Sequence, residues 1–416
     1  MAQDKPDPRQ FRLLFVLAAV QFTSVVDFVI MMPLGPQFMR AFQITAREFG
    51  MMISAYTFSA GLFGLVGALF IDRFDRRNTL LTLYAGFALG TLLCALAPGH
   101  VFFIGARVVA GAFAGIMGAT VFSIIGDAFE ENRRGMATGT VMSAFALASI
   151  IGVPFGLVLA NRMSWHAPFV GLVGVIALVW VLGFFWLPSF RGHLKAKKSS
   201  GRLNSARQLL QVISVPNHIR AFGITVCLMM GSFTIIPYIS TYVVNVVGYP
   251  ETSLPYLYLI GGGATLFSSR AIGVLSDRLG KLRVFRIFGT ISFLPLILVT
   301  HITHATSLEV ILVSTFFMIC MNGRMVPSMA MITGLVEPKY RGSFMSVNSS
   351  VQQAASGLAT LIAGWMIAGS QAGSVEHYNR VGYLACAFTL IALLLARSLK
   401  YETKLKSTND VVGEFA

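Results

Sequence analysis

Long apolar runs alternate with short polar breaks from one end of this chain to the other. The runs fall at 12–34, 48–71, 79–97, 101–126, 135–160, 167–188, 218–247, 253–276, 284–302, 307–334, 343–369 and 376–398. A helix needs about 20 residues to cross a hydrocarbon core about 30 Å thick, and each run is near that length. The pattern predicts twelve transmembrane helices, six before the polar stretch 189–217 and six after it. The expected fold class is all-α integral membrane, with the helices in two pseudo-symmetric six-helix bundles. We place the first bundle at 1–188, a linker at 189–217, the second bundle at 218–402 and a polar tail at 403–416.

The two halves also share motifs. Residues 71–78 read I-D-R-F-D-R-R-N and residues 276–283 read S-D-R-L-G-K-L-R, each at the end of one apolar run and the start of another. The two stretches lie 205 positions apart, about half the chain. Glu130-Glu131-Asn132-Arg133-Arg134-Gly135 is echoed 207 positions on by Glu337-Pro338-Lys339-Tyr340-Arg341-Gly342. Two matches at nearly one offset indicate a duplicated unit, and duplicated apolar bundles are the architecture of many secondary transporters.

Composition changes the picture in one respect: it settles the solvent. Hydrophobic residues make up 55% and charged residues 12% of the chain, with mean hydropathy +0.72. Ordinary globular chains carry about 25% charged residues. The net charge of +15 has a topological explanation. Lys and Arg concentrate in the breaks 72–78, 127–134, 277–286 and 335–342, in the linker and in both tails. Only Arg40, Arg47, Arg162 and Arg380 fall on the other side. By the positive-inside rule the first side, with both termini, is cytoplasmic. No nucleic-acid partner is needed to account for the charge. The apolar run after Met1–Arg12 is too long for a signal-peptide core and reads as an uncleaved first span. Cys94, Cys227, Cys320 and Cys386 all sit in apolar runs without short spacing, so they read as buried small hydrophobes, with no disulfide frame and no metal site.

Taken with the repeat, these residues resemble the major facilitator superfamily over essentially the whole chain. Its loop motif, G-x-L-x-D-R-x-G-R-K, follows the second span and recurs after the eighth. The second copy is close, with Gly273, Leu275, Asp277, Arg278, Gly280 and Lys281 in place. In the first copy Asp72, Arg73, Arg76 and Arg77 match, but Ala68 and Asp75 replace the two glycines. The resemblance implies that these residues form a conformational latch; simple positive-inside decoration is the other reading. Arg107, Gly111 and Gly115 are similar to the R-x-x-x-G pattern of proton-coupled members. Gly152-Val153-Pro154-Phe155-Gly156 looks like the antiporter motif G-P-x-x-G with a residue inserted after the first Gly. That form, with Trp165 following, is similar to the drug:proton antiporter and sugar-efflux branches. Close helix packing with a proline kink is the bland alternative.

Ionisable residues inside spans are few and therefore informative. Among the 17 acids only Asp27 sits deep in an apolar run, preceded by Gln21, Thr23 and Ser24. A carboxyl poised between desolvation and a nearby cation can load and release a proton. The resemblance implies that Asp27 faces Arg107, and both lie near the outer ends of their predicted helices. A static buried ion pair is the alternative to a proton site. Shifting Asp27 by 205 lands on Ser232 and shifting Arg107 by 207 lands on Ser314, so the fold itself does not demand either charge. Arg270 is near enough to a helix end to snorkel. Arg324 is deep, beside Asn322, with no intramembrane acid in its half; it either meets an anionic substrate or bonds backbone carbonyls and water. Polar stripes at Asn348, Gln352 and Ser356, and at Tyr238, Tyr242 and Asn245, line either a cavity or a helix contact. With Ser24, Asn322 and Arg324 they are the candidate substrate-binding residues.

Enzyme signatures are absent: no Cys or Ser pairs with a His at motif spacing, and Gly261-Gly262-Gly263 lacks the Lys-Ser/Thr of a phosphate loop. The expectation is a monomeric secondary transporter in a bacterial inner membrane, exporting a small amphipathic or anionic solute in exchange for protons. It would need no cofactor, since the proton gradient supplies the energy. An importer or facilitator of the same fold is the alternative, and a non-transporting membrane sensor or scaffold the remote one.

Overall fold

In the computed structural model, residues 8–190, 211–337, 340–367, 369 and 373–399 are described. The side chains of Asp72, Glu131 and Asn132, most of the predicted linker and the tail 403–416 lie outside that description. The described chain is built from helices. The first half comprises α1 (Pro8–Val29), a short α2 (Gly35–Phe42), α3 (Ala46–Phe70), α4 (Arg76–Ala95), α5 (His100–Ala128), α6 (Glu131–Leu147), α7 (Val153–Arg162) and α8 (His166–Trp186). The second half comprises α9 (Pro216–Phe233), α10 (Ile239–Asn245), α11 (Leu254–Leu279), α12 (Lys281–Ile291), α13 (Phe293–His301), α14 (Ser307–Gly334), α15 (Arg341–Ile367) and α16 (Tyr378–Arg397).

Several predicted spans are broken, and proline accounts for the breaks because it lacks the N–H of the helical ladder. Pro237 cannot bond Phe233 O, and a 3-10 turn over Ile236–Tyr238 separates α9 from α10. Pro295 likewise follows the joint between α12 and α13. Pro154 follows a π turn, Ala148–Gly152, that joins α6 to α7. Other helices begin cleanly. Thr45 and Glu48 form a capping box at α3, and Thr306 and Glu309 form one at α14. Each pair satisfies two N–H groups that the first turn leaves without partners.

Joined across these breaks, and with the short α2 set aside, the described helices form twelve rods. Eleven are long and apolar enough to cross a membrane. The exception is α15, whose 27 residues are long enough but include Asn348, Gln352 and Gln353 among several serines. Its polarity is tolerated because it packs closely against α3 and α9, helices of opposite halves. Ser54 Oγ donates to Gly357 O at 2.9 Å, and Tyr238 OH donates to Thr360 O at 2.9 Å and to Ala46 O at 3.3 Å. Gly50 and Gly364 make room for that hydroxyl; a Cβ on either would meet it.

The apolar cores show how the halves meet. We call the end where α1 begins and α16 finishes the terminal face. One core gathers residues of both halves at the opposite face, among them Ile30, Phe38, Phe49, Phe103, Trp165, Tyr238, Leu257 and Tyr378. Nearer the terminal face there are two cores. One is drawn from the first half, with Leu17, Tyr84 and Ile124; the other from the second, with Phe222, Phe285 and Phe344, against which only Leu65 leans from the first half. The bundles are thus sealed together at one end and separate at the other. The cysteines are free, three of them buried and Cys386 partly so.

Within the first half α3 and α5 pack so tightly that a Cβ on Gly115 would fall inside contact distance of Ala60 O, whereas one on Gly118 would meet nothing within 4 Å. Gly115→Ala should therefore cost about 1–3 kcal/mol, and Gly118→Ala should be neutral or slightly stabilising. Thermal unfolding in detergent checks this. Equal melting temperatures for the two variants would contradict the packing described.

Candidate functional site

Asp27 and Arg107 meet in the first bundle. The α1 carboxylate and the α5 guanidinium are both fully buried, with Arg107 Nη1 2.7 Å from Asp27 Oδ2. Thr91 Oγ1 on α4 donates to Asp27 Oδ1 at 3.2 Å. The guanidinium lies over the Tyr56 ring of α3, Cζ 4.2 Å from its centroid, and Ser24 sits beside Tyr56. Four helices thus enclose one ion pair. Neither member is affordable alone in this medium, since breaking a buried pair costs about 3–5 kcal/mol. The contact is one-pointed: Arg107 Nε and Nη2 have no hydrogen-bond partner. Phe28, next to Asp27, stacks on Tyr56 at 5.3 Å and on Phe233 of the other bundle at 6.1 Å. The pair therefore sits one side chain away from the interface between bundles.

The bend motif abuts this site. The π turn ends at Gly152, and a Cβ there would strike Val26; one on Gly156 would come within 2.8 Å of Ile30 Cδ1. Both glycines, with Pro154 between them, seat α7 on the stretch of α1 that carries Asp27. On its other side the π turn touches α11, where a Cβ on Gly262 would lie 3.1 Å from Ser149 O.

The loop motifs behave unlike their sequence. In the degraded first copy, Arg76 Nε binds Asp127 Oδ2 at 3.0 Å, joining α4 to the end of α5. Arg77 donates to Phe184 O and lies over the Phe184 ring. Asp75, which stands where the motif has glycine, caps α4 by accepting from Arg77 N at 3.0 Å, and also accepts from Phe190 N at 3.2 Å and from Ser189 Oγ. Arg73 is exposed, and the side chain of Asp72 is outside the description. In the more complete second copy, the side chains of Asp277 and Arg278 are exposed and make no hydrogen bond among the described residues. Lys281 Nζ reaches Ala330 O at 3.5 Å, Gly273 meets no neighbour, and Gly280 turns the chain at φ +90°.

The substrate candidates divide. Tyr238 is committed to the seam between α3 and α15. Tyr242 OH donates to Ile302 O at 2.8 Å, and Asn245 Nδ2 to Gly373 O at 2.8 Å. Asn348 Oδ1 accepts from Thr225 Oγ1 at 2.8 Å, and Asn322 donates to Ser269 Oγ. In this conformation these groups bond neighbouring helices or the loops beside them. Gln352 is half-buried; its carbonyl accepts from Ser356 Oγ at 2.8 Å, and its side chain makes no hydrogen bond among the described residues. Arg324 is 1% exposed. Its Nη1 donates to Thr389 Oγ1 at 2.6 Å and its Nη2 to Ser232 Oγ at 3.1 Å and to Met321 S.

Sequence reasoning missed Thr91, Tyr56 and Asp127, and also a clasp at the opposite face. There Arg40 pairs with Glu251 across the bundles, Gln37 Nε2 donates to Asn161 Oδ1 at 2.9 Å, and Asn161 Nδ2 to Glu251 O at 3.4 Å. Hydroxyls are common in membrane helices, and loop charges carry no mark of their partners.

A duplicated helical membrane protein with one buried acid–base pair and bundles joined at one end defines a secondary transporter. Residues 17–323 and 271–412 match the Major Facilitator Superfamily, and the chain belongs to that family. It is similar to the uncharacterized MFS-type transporter YbcL of Bacillus subtilis, 27% identical over 95% of this chain and 98% of that one. It is also similar to the probable sugar efflux transporter of Helicobacter pylori, 25% identical over 55% and 58% of the two chains. Its fold matches the crystal structure of a D-xylose–proton symporter with TM-score 0.77, at 14% identity over 95% and 98% of the chains. A bacterial homologue of the human lysosomal transporter Spinster, inward-facing and unoccupied, matches with TM-score 0.73, at 14% identity over 94% and 98%. Members of this family transport solutes and are not enzymes.

The bonded loop motif generates a test. Arg76→Gln and Asp127→Asn should show a coupling of about 0.5–3 kcal/mol in a double-mutant cycle of thermal stability. Asp277→Asn should stay within about 0.5 kcal/mol of the parent. Additive effects in the first pair, or a large loss from the second change, would reverse the assignment of which copy is engaged.

Proposed function

We propose that the protein exports a small amphipathic or anionic solute by exchange for protons, with Asp27 as the proton-carrying group and Arg107 as its partner. The buried Asp27–Arg107 pair at 2.7 Å carries this reading. A protonated Asp27 no longer holds Arg107 by charge, and the unbonded Nε and Nη2 leave the guanidinium free to find other acceptors. The pair adjoins both the π turn and Phe28, so its rearrangement reaches the contacts between bundles. On this reading the terminal face is cytoplasmic, in a bacterial inner membrane, and the conformation described is inward-facing. The bundles rock about the site, and each charge carried inward gains about 2.3 kcal/mol per 100 mV.

The efflux name of the Helicobacter relative favours export. The symporter among the similar folds keeps a proton-coupled importer, or a facilitator, as the second reading. Asp27→Asn separates these mechanisms in proteoliposomes. The amide keeps an oxygen for Arg107 but cannot titrate. Flux driven by a pH gradient should fall at least about tenfold, as loss of a proton-coupling group requires, while exchange down a solute gradient persists. Undiminished proton-driven flux in that variant would remove Asp27 from the mechanism.

A further inference from the structure

Both bundles bury one arginine completely, but only one of the two has a counter-ion. Arg107 has Asp27. Around Arg324 the acceptors are Thr389 Oγ1, Ser232 Oγ and Met321 S, all neutral. The Nε has no partner, so a guanidinium with five N–H donors is neither fully bonded nor neutralised. The described acids of the second half do not reach it. Glu251 pairs with Arg40, Glu309 caps α14, and Asp277, Glu337 and Glu376 are exposed at helix ends or in loops. A buried cation in a membrane protein is costly and marks a pathway or a ligand.

The repeat says which ligand. Ser232 stands where Asp27 stands in the first half, 205 positions earlier. Arg324 reaches that serine as Arg107 reaches the aspartate. The second site thus has a hydroxyl where the repeat has the carboxylate, an arginine from farther along the corresponding helix (the position matching Arg107 is Ser314), and a second hydroxyl, Thr389, from α16. Gly231 lies alongside: a Cβ there would come within 3.2 Å of Thr389 Oγ1, 3.3 Å of Ala385 O and 3.7 Å of Arg324 Nη1, so the absence of a side chain at Gly231 lets α9 approach this group of donors and acceptors closely.

We propose that Arg324, Ser232 and Thr389 form an anion-binding site that takes the carboxylate of the transported solute. The role of that carboxylate as cargo rests on the transport reading above, whereas its binding does not depend on Asp27. The test uses the purified full chain in detergent at constant ionic strength. Acetate, butyrate and phenylacetate are titrated, each against its amide, with chloride as a further probe, and thermal stabilisation is read. At least one carboxylate should bind more than about tenfold tighter than its amide, in keeping with a desolvated charge pair. Arg324→Gln should remove that preference, and Arg324→Lys should restore part of it, because an ammonium makes no planar two-point contact. Ser232→Asp guards against a folding failure in the first variant: it supplies the acid internally, so it should raise the melting temperature and abolish the carboxylate response. No preference for any carboxylate over its amide, or a preference that survives Ser232→Asp, would overturn the site. Chloride binding as tightly as the carboxylates would overturn its role in solute recognition. Carboxylate binding that persists in Asp27→Asn while pH-driven flux is also unimpaired would sink the proton reading alone.

Discussion

A charge inside a bilayer has no water to turn to, and must be solvated by the protein that carries it. Around Asp27 that requirement recruits α1, α3, α4 and α5 at once, because the carboxylate needs Arg107 and Thr91 while the guanidinium needs the face of Tyr56. The helices are therefore oriented by their polar contacts as much as by their apolar ones. Rotating any of the four by a fraction of a turn would strand an ion. The same demand shapes the second bundle, where Asn348, Asn322 and Tyr242 each find an acceptor or donor on a neighbour.

The division of the apolar cores gives this arrangement a direction. At the face opposite the termini one core runs through both bundles, closed over by Tyr238 and by the clasp of Arg40, Asn161 and Glu251. That clasp is polar and partly exposed, so its strength is modest and easily exchanged for water. Seals that must open are better built of such contacts than of interlocked aromatic side chains. The ion pair lies just beneath the closed end, linked through Phe28 to Phe233 across the boundary.

Much of this was legible beforehand, for identifiable reasons. The spans follow from apolar runs, the duplication from two matched loops, and Asp27 and Arg107 from being ionisable where few residues are. Their pairing depended on helix rotation, which one sequence constrains only loosely. Thr91 gave no signal because a threonine hydroxyl bonds its own helix backbone cheaply, and Tyr56 gave none because an aromatic ring in an apolar span is ordinary. The two copies of the loop motif are engaged unequally. The more complete pattern surrounds Asp277, and the copy whose side chains are bonded in this conformation is the one with Asp75 in place of glycine, because that side chain caps α4 and holds Ser189 and Phe190. Polar stripes on α15 left a cavity and a helix contact equally open, and in this conformation Asn348 is answered by Thr225 on an adjacent helix.

The π turn at Ala148–Gly152 has a bearing on how this chain could change over time. Such a turn is an α-helical segment that has taken in one extra residue, with the surplus confined to a single wide loop of the ladder. The helix on either side keeps its facing, so Gly152 and Gly156 remain against Val26 and Ile30 despite the added length. Loss of one residue within 148–152 would draw the turn back to α-helix and still leave α7 seated on α1. Elsewhere in a membrane helix a one-residue deletion swings everything beyond it by about 100°, carrying lipid-facing residues inward and polar ones out. In this span the length of the chain and the identity of its faces are uncoupled, which makes the segment a tolerant point for insertion and deletion in an otherwise intolerant fold.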